Sequence, residues 1–282
     1  MKFARVSKVL PFSCVDGPGN RLVIFLQGCN YACLSCHNPY TINHCNDCGE
    51  CIDTCPSNAL TLNSDNKVNW HSQLCSQCDK CIDVCPNQSS PKINSYSCEA
   101  MYKLVKKHAP FISGITVSGG EATLQLPFIF SLFSRIKHDA ALSHLTCFID
   151  SNGSLSLQGW QKILPYLDGA MVDLKAWKNE VHCHLTGRKN TRVLETIRYL
   201  AEHDKLYEIR LLQIPNQTDF EQSIAELAEF INALPNEVQL KINAFRTHGV
   251  KGEAKKWQEC KSEDTHNLRY ELENKVNVKV IA

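Results

Sequence analysis

Three thiols, Cys29, Cys33 and Cys36, stand in the spacing C-x3-C-x2-C and are the part of this chain best suited to chemistry. A cubane [4Fe–4S] cluster ordinarily takes four thiolates. Three on one short loop leave one iron without a protein ligand, and an open coordination position is where a metal centre meets something else. A closed structural zinc site would need a fourth ligand nearby, and zinc hooks favour paired C-x2-C spacing. The loop follows a glycine turn and an apolar run, Leu22 to Leu26, long enough for one buried strand.

Eight further cysteines fall in two copies of one string. Residues 45–56 read CNDCGECIDTCP and residues 75–86 read CSQCDKCIDVCP, both C-x2-C-x2-C-I-D-x-C-P. The doubled string resembles bacterial ferredoxins, in which the fourth cysteine of each run ligates the other run's cluster. That resemblance implies one [4Fe–4S] cluster on Cys45, Cys48, Cys51 and Cys85 and a second on Cys75, Cys78, Cys81 and Cys55. Pro56 and Pro86 end the short helical turns. Irons saturated by thiolates leave no corner for substrate, so electron transfer is the expected work. Stabilising the segment, or shaping a partner surface, is the rival reading.

The string from Gly17 to Asn38, G-x-G-x-R-x3-F-x2-G-C-x3-C-x2-C-x-N, resembles the signature of the radical S-adenosylmethionine (SAM) activases of glycyl radical enzymes. In that family the open iron chelates the amino and carboxylate groups of SAM, and an electron passing through the cluster breaks the S–C5′ bond. The released radical abstracts hydrogen from a glycine of a partner enzyme. The resemblance therefore implies three [4Fe–4S] clusters, SAM, a glycyl radical enzyme as partner, a flavodoxin or ferredoxin as donor, and an anaerobic setting. It is nearest to the YjjW-type activases, which share SCVDGPG, the doubled ferredoxin run and an NAF…HG segment. No general acid or base is required of a side chain. The alternatives are a radical SAM enzyme acting on a small molecule or another peptide, and a non-catalytic iron–sulfur electron carrier.

The same resemblance implies SAM contacts at six further places. Ser35, where relatives often carry an aromatic residue, Cys36 and His37 lie on the cluster loop. Gly119, Gly120 and Glu121 resemble the GGE motif that holds the SAM amino group. Asp150 and Ser151 resemble the start of D-T-N-G, and Asp173, Leu174 and Lys175 match D-L-K, the two aspartates being implied holders of a monovalent cation. Arg210 matches an arginine that touches SAM. After the sixth strand the family's histidine has two candidates here, Arg246 at the aligned place and His248 two residues on.

These strings must be positioned by regular elements, and alternating patterns supply them. Strands are predicted over 114–118, 144–150, 170–174, 207–214, 238–245 and 276–281, and helices over 96–108, 127–138, 157–167, 192–203 and 263–273, with another opening at Asp219. Strand–helix alternation implies an α/β fold with a parallel sheet, and parallel barrels keep their chemistry at the C-terminal strand ends, where these strings fall. The expected architecture is a partial (β/α)6-type radical SAM barrel, residues 1–40 and 94–282, interrupted by a ferredoxin-like insert, residues 41–93.

Composition agrees. The chain has 282 residues, 43% of them hydrophobic, enough for one large core plus a small insert, and its formal net charge of +1 gives no reason to expect nucleic acid or an anionic membrane. No apolar run approaches the roughly 20 residues of a membrane span. Sixteen cysteines without a secretion signal point to metal ligands in a cytoplasmic protein. Of the remaining thiols, Cys98 and Cys147 are expected to be small buried apolar residues, and His182-Cys183-His184 an ordinary polar segment.

Overall fold

The apolar run behind the glycine turn forms the expected strand, but the residues before it form another that the sequence did not announce. In the computed structural model, which describes residues 2–235 and 238–282, β1 (Phe3–Ser13) lies antiparallel to β2 (Arg21–Leu26). Register shifts between Leu10 and Ser13 accommodate Pro11, which has no N–H to give a regular ladder. The segment after β2 makes a small hairpin, β3 (Leu60–Leu62) with β4 (Val68–Trp70), and one helical turn, α1 (Lys80–Asp83). It returns to the main sheet through β5 (Asn94–Ser97), paired with β1.

Beyond it the chain alternates. Helix α2 (Cys98–His108) leads to β6 (Gly114–Gly119), α3 (Leu126–His138) to β7 (Thr146–Ser151), and α4 (Leu157–Ile163) to β8 (Gly169–Leu174). Helices α5 (Asn179–Thr186) and α6 (Thr191–Glu202) precede β9 (Leu206–Gln213), α7 (Ile224–Asn232) precedes β10 (Gln239–Ala244), and α8 (Ser262–Glu273) precedes β11 (Val280–Ile281). Among the described residues the main sheet has nine strands in the order β11-β10-β9-β8-β7-β6-β2-β1-β5. From β2 to β11 every neighbouring pair is parallel, which is the right-handed βαβ pattern repeated. The ends do not meet, so this is an open, partial barrel with its first six parallel strands in chain order. The final strand is shorter than expected, since only residues 280 and 281 find partners on β10.

Periodicity explains the core. Phe128, Ile129, Leu132, Phe133 and Ile136 of α3 recur at helical spacing and bury their face against the sheet, together with Cys147 and Trp160. Among the described residues no helix is long and apolar enough to cross a membrane.

Two devices set the barrel's geometry. Arg21, fully buried at the start of β2, donates to Thr116 Oγ1 (3.0 Å), Pro18 O (3.3 Å) and Thr146 O (3.1 Å), and its guanidinium stands 4.5 Å over the Phe148 ring. It fills the floor opposite the strands' C-terminal ends, and burial pushes its pKa down to about 10. At the other end, Gly119 has φ +130° and a Cβ there would lie 2.2 Å from Leu26 O. A Cβ on Gly120 would lie 2.3 Å from Gly28 O and 2.9 Å from Thr41 O. The two glycines thus let the end of β6 close onto the loop that leaves β2, where Glu121 N donates to Gly28 O at 2.7 Å. Gly120→Ala is expected to destabilise the fold by about 1–3 kcal/mol or more, since backbone rather than a flexible side chain must give way; thermal denaturation under anaerobic conditions reads it.

The repeat read from the sequence reappears in the backbone of residues 45–88. Asp47 and Gln77, Gly49 and Asp79, and Asn58 and Gln88 each occupy equivalent places in the two runs, and all six have positive φ. Four of these are residues that reach the left-handed region comparatively easily.

Candidate functional site

A cavity of about 580 Å³ opens at the C-terminal ends of the parallel strands. Each of those strands from β2 to β10 contributes to its wall: Phe25, Ser118, Asp150, Asp173, Arg210 and Asn243 all face it. Because β2 and β10 line one cavity without pairing, the sheet must curl toward closure. Cys29, Cys33 and Cys36 enter from the loop after β2, with Ser35, His37 and Asn38 between and beside them.

The loop is held by a helix that the sequence pattern did not reveal. Helix α5 ends with carbonyls that need partners. The loop supplies them: Ala32 N donates to Thr186 O (3.2 Å) and Leu34 N to Leu185 O (2.9 Å). Arg188 Nε donates to Asn30 O at 3.2 Å, and Tyr31 packs edge-on against the buried His182. On the other flank, Cys29 N donates to Ile42 O (3.0 Å) and Asn152 Nδ2 to Asn30 Oδ1 (3.0 Å). His182 and Cys183 therefore belong to an anchoring helix.

Electrostatics decide what the three thiols can hold. Burial pushes Cys29 up to about 12 and Cys33 up to about 11, and raises Cys36 as well, with each charge disfavouring its neighbours. The backbone N–H of Tyr31 at Cys29, that of Asn38 at Cys36, and Lys175 at Cys33 and Cys36 work the other way. Three thiolates in this setting call for a group that brings positive charge and accepts sulfur ligands. Among the described residues no three His, Cys, Asp or Glu side chains gather closely enough for a single metal ion, so the thiols ring the cavity rather than meet at a point. A multi-iron cluster fits that donor set.

Opposite the thiols lies a charged lattice. Arg210 bridges Asp150 (3.2 Å) and Glu208 (2.5 Å), and Lys175 donates to Asp173 at 2.8 Å. Ser118 Oγ donates to Asp150 Oδ2 at 2.9 Å. Burial pushes the Asp150 carboxyl up, with Arg210 opposing it. Burial also works against the charge of Lys175, but Asp173 and Cys33 beside it outweigh that and hold it protonated well above the ordinary range.

Residues 23–231 match the Radical SAM superfamily. The chain belongs to that superfamily. Among curated relatives it is 28% identical over 249 residues to a pyruvate formate-lyase-activating enzyme of Streptococcus mutans serotype c, covering 86% of this chain and 78% of that one. It is 29% identical over 269 residues to the enzyme of the same name from Staphylococcus aureus strain USA300, covering 92% and 84%. Among solved structures, Escherichia coli QueE superposes with TM-score 0.55 at 12% identity over 99% of this chain and 94% of that one. Streptococcus suis SuiB gives TM-score 0.55 at 14% identity, over 90% and 47%. At such identities the two structures speak for the fold alone.

Within this radical SAM chain the cavity gathers Ser35, Cys36, His37, Gly119, Gly120, Asp150, Ser151, Asp173, Lys175 and Arg210 of the positions named from the sequence. Four others lie elsewhere. Glu121 is wrapped by its own chain: Oε1 accepts from Thr123 N (3.0 Å) and Ser151 Oγ (2.9 Å), and Oε2 from Asn152 N (2.7 Å). Fully buried, its carboxyl is pushed up by desolvation, against those hydrogen bonds. It shapes the cavity wall through Ser151 and Asn152 instead of facing a ligand. The Leu174 side chain is in the hydrophobic core, because a strand's alternate residues point to opposite faces and Asp173 takes the inner one. His248 is exposed and outside the lining, and Arg246 turns away to donate to Cys260 O at 2.5 Å. Sequence reasoning missed Asp16, Tyr31, Thr41, Asn152 and Asn243, which line the cavity. Asn152 and Asn243 were legible as polar residues at strand ends; Asp16 was not, since it arrives from the turn between two antiparallel strands.

The second set of cysteines also gathers. Cys55, Cys75, Cys78 and Cys81 frame one small cavity with Trp70, Asp79 and Lys92. The thiol of Cys45 lies close enough to Cys85 and Cys48 to feel their charge, while Cys51 feels Cys81 of the other run most and then Cys45 and Cys48. In both runs the fourth sulfur accepts a backbone N–H: Ala59 N to Cys55 Sγ at 3.3 Å and Ser89 N to Cys85 Sγ at 3.4 Å.

Proposed function

We propose that this protein activates a glycyl radical enzyme by reductive cleavage of SAM. The observation that carries the reading is one cavity joining three half-buried thiols to an Asp–Lys–Arg lattice, in a chain whose relatives are named pyruvate formate-lyase-activating enzymes.

A [4Fe–4S] cluster in this loop would supply one-electron reduction of SAM, the chemistry that cleaves its S–C bond. The chain's own part is placement and exclusion. Cys29, Cys33 and Cys36 would hold that cluster at the cavity wall. Asp150 and Asp173 offer carboxylate oxygens to the ammonium of SAM or to a monovalent cation, while Arg210 pairs with Asp150 and Lys175 with Asp173. Phe25, Tyr31 and Leu212 supply apolar wall that keeps water from the reacting atoms. Anaerobic incubation with reductant and SAM should yield 5′-deoxyadenosine, and adding the partner enzyme should produce a glycine-centred radical signal. Deoxyadenosine without any such radical on glycyl radical enzymes would move the assignment to a small-molecule or peptide substrate.

The insert, residues 41–93 in this reading, holds two [4Fe–4S] clusters that relay electrons from a flavodoxin or ferredoxin, in an anaerobic cytoplasm. Cys48 and Cys78 are exposed, so replacing both with serine disturbs little packing. The double variant is expected to lose SAM cleavage driven by flavodoxin while keeping cleavage driven by a small chemical reductant. Equal rates with both donors would end the relay.

A further inference from the structure

The two halves of the insert share their backbone but not their charge. Position by position, residues 45–62 map onto residues 75–92, with the same positive-φ sites and the same N–H···S contact on the fourth sulfur. At the end of that frame Leu62 corresponds to Lys92. The correspondence holds in space: a Cβ on Gly49 would lie 3.9 Å from Leu62, while at the matching position Asp79 pairs with Lys92. One cage therefore has a partly exposed leucine where the other has an ammonium.

That ammonium is not an ordinary surface charge. The Lys92 side chain is only 12% exposed, its Nζ also approaches Gln77 Oε1 at 3.4 Å, and it lines the cavity framed by Cys55, Cys75, Cys78 and Cys81. Its partner Asp79 is 59% exposed, so water screens the carboxylate more than the ammonium. The first cage has no such ammonium: Leu62 stands at the matching place, and Asp47 stands where the second has Gln77.

A cluster bound by four thiolates becomes more negative on reduction, so nearby positive charge favours the reduced form. We propose that Lys92 makes the cluster on Cys55, Cys75, Cys78 and Cys81 the more easily reduced of the two, so that it is the one that stores the electron. Its position suits that work. A cleft of about 730 Å³ is lined by Trp70, Gln77, Asp79 and Lys92 and shares Phe25, Asn38, Thr41 and Gly119 with the SAM cavity. The second cage thus borders the space leading to the catalytic loop.

The inference rests on the two-cluster reading, and iron content separates the two. Full-length protein, Lys92→Leu and Leu62→Lys would be reconstituted anaerobically, assayed for iron, and titrated stepwise with titanium(III) citrate under electron paramagnetic resonance. Unaltered protein should show two distinct auxiliary midpoint potentials. Lys92→Leu should move the higher one down toward the other, and Leu62→Lys should move the lower one up, each leaving the remaining potential in place. Two indistinguishable potentials in the unaltered protein would overturn the proposal, as would an unmoved upper potential in Lys92→Leu at full iron content. Should Lys92→Leu lose iron, Leu62→Lys decides, because it adds charge at a half-exposed position and removes no contact with a ligand; an unmoved lower potential there overturns the proposal. Unaltered protein with only four irons per chain would overturn the two-cluster reading and the proposal with it.

Discussion

Cys36→Ala is expected to reduce 5′-deoxyadenosine formation to background in a protein that still folds. The thiol lines the cavity and is half-buried, and the loop around it is fastened by backbone bonds that do not use its sulfur. Ala32 and Leu34 stay tied to α5, and Cys29 stays tied to Ile42. In the proposed reading, what is lost is one of the three thiols that would hold the cluster. Removing a group one shell beyond a metal costs about 10–100-fold, so losing a ligand outright from an already incomplete set should exceed that. Iron should fall by about four per chain if this loop carries one cubane. The auxiliary signals should persist, because Cys45–Cys55 and Cys75–Cys85 are untouched. Deoxyadenosine at the unaltered rate, or a loop loaded with zinc, would remove the basis for the proposed function.

Much of this was legible because parallel α/β folds repeat a simple grammar. Apolar runs of strand length alternating with helical stripes gave the parallel strands from β6 to β10 nearly to the residue, and polar strings at their ends marked the cavity wall. The misses have physical causes. β1 reads FARVSKVLPFS, with a proline and two lysines or arginines at positions that face solvent or a neighbouring edge; only antiparallel pairing to β2 and β5 makes it a strand. Helix α5, NEVHCHLT, is short and carries a weak apolar stripe, and its evidence is tertiary: it is where the cluster loop finds acceptors. Glu121 shows a different limit. A glutamate after two glycines at a strand end reads as a ligand contact, yet its carboxylate is consumed by four donors from Thr123, Ser151 and Asn152. A motif gives residue type and place, but whether a side chain faces the cavity or its own wall depends on neighbours thirty residues away. The cage around Lys92 is the converse case. There the repeat was plain in the sequence, and the asymmetry became meaningful only once Leu62 and Lys92 were seen in equivalent places.

Arg210→Met should be the most damaging single change in the charged lattice, and its damage should depend on pH. Arg210 is largely buried between Asp150 and Glu208, and Asp173 adds to the field that holds it protonated. Methionine keeps the stem and removes the charge, which strands Asp150. Glu208 retains a hydrogen bond from Gln239 Nε2 at 2.6 Å, and Asp150 retains one from Ser118 Oγ at 2.9 Å. Removing one partner of a buried pair costs about 3–5 kcal/mol, or roughly 10 °C in melting temperature for a chain of this size. Burial already raises the Asp150 carboxyl in the intact lattice, with Arg210 restraining the rise; without Arg210 it rises further. A carboxyl whose folded pKa exceeds its unfolded value binds its proton more tightly in the fold, so stability is greater at low pH and is lost as pH rises through the folded pKa. The deficit of Arg210→Met against the unaltered protein should therefore be largest near neutrality and shrink on acidification toward the ordinary carboxylate range near ~4. Anaerobic melting curves across that interval check it. A deficit independent of pH would mean that Arg210 contributes packing alone and that Asp150 is not the group it keeps ionised.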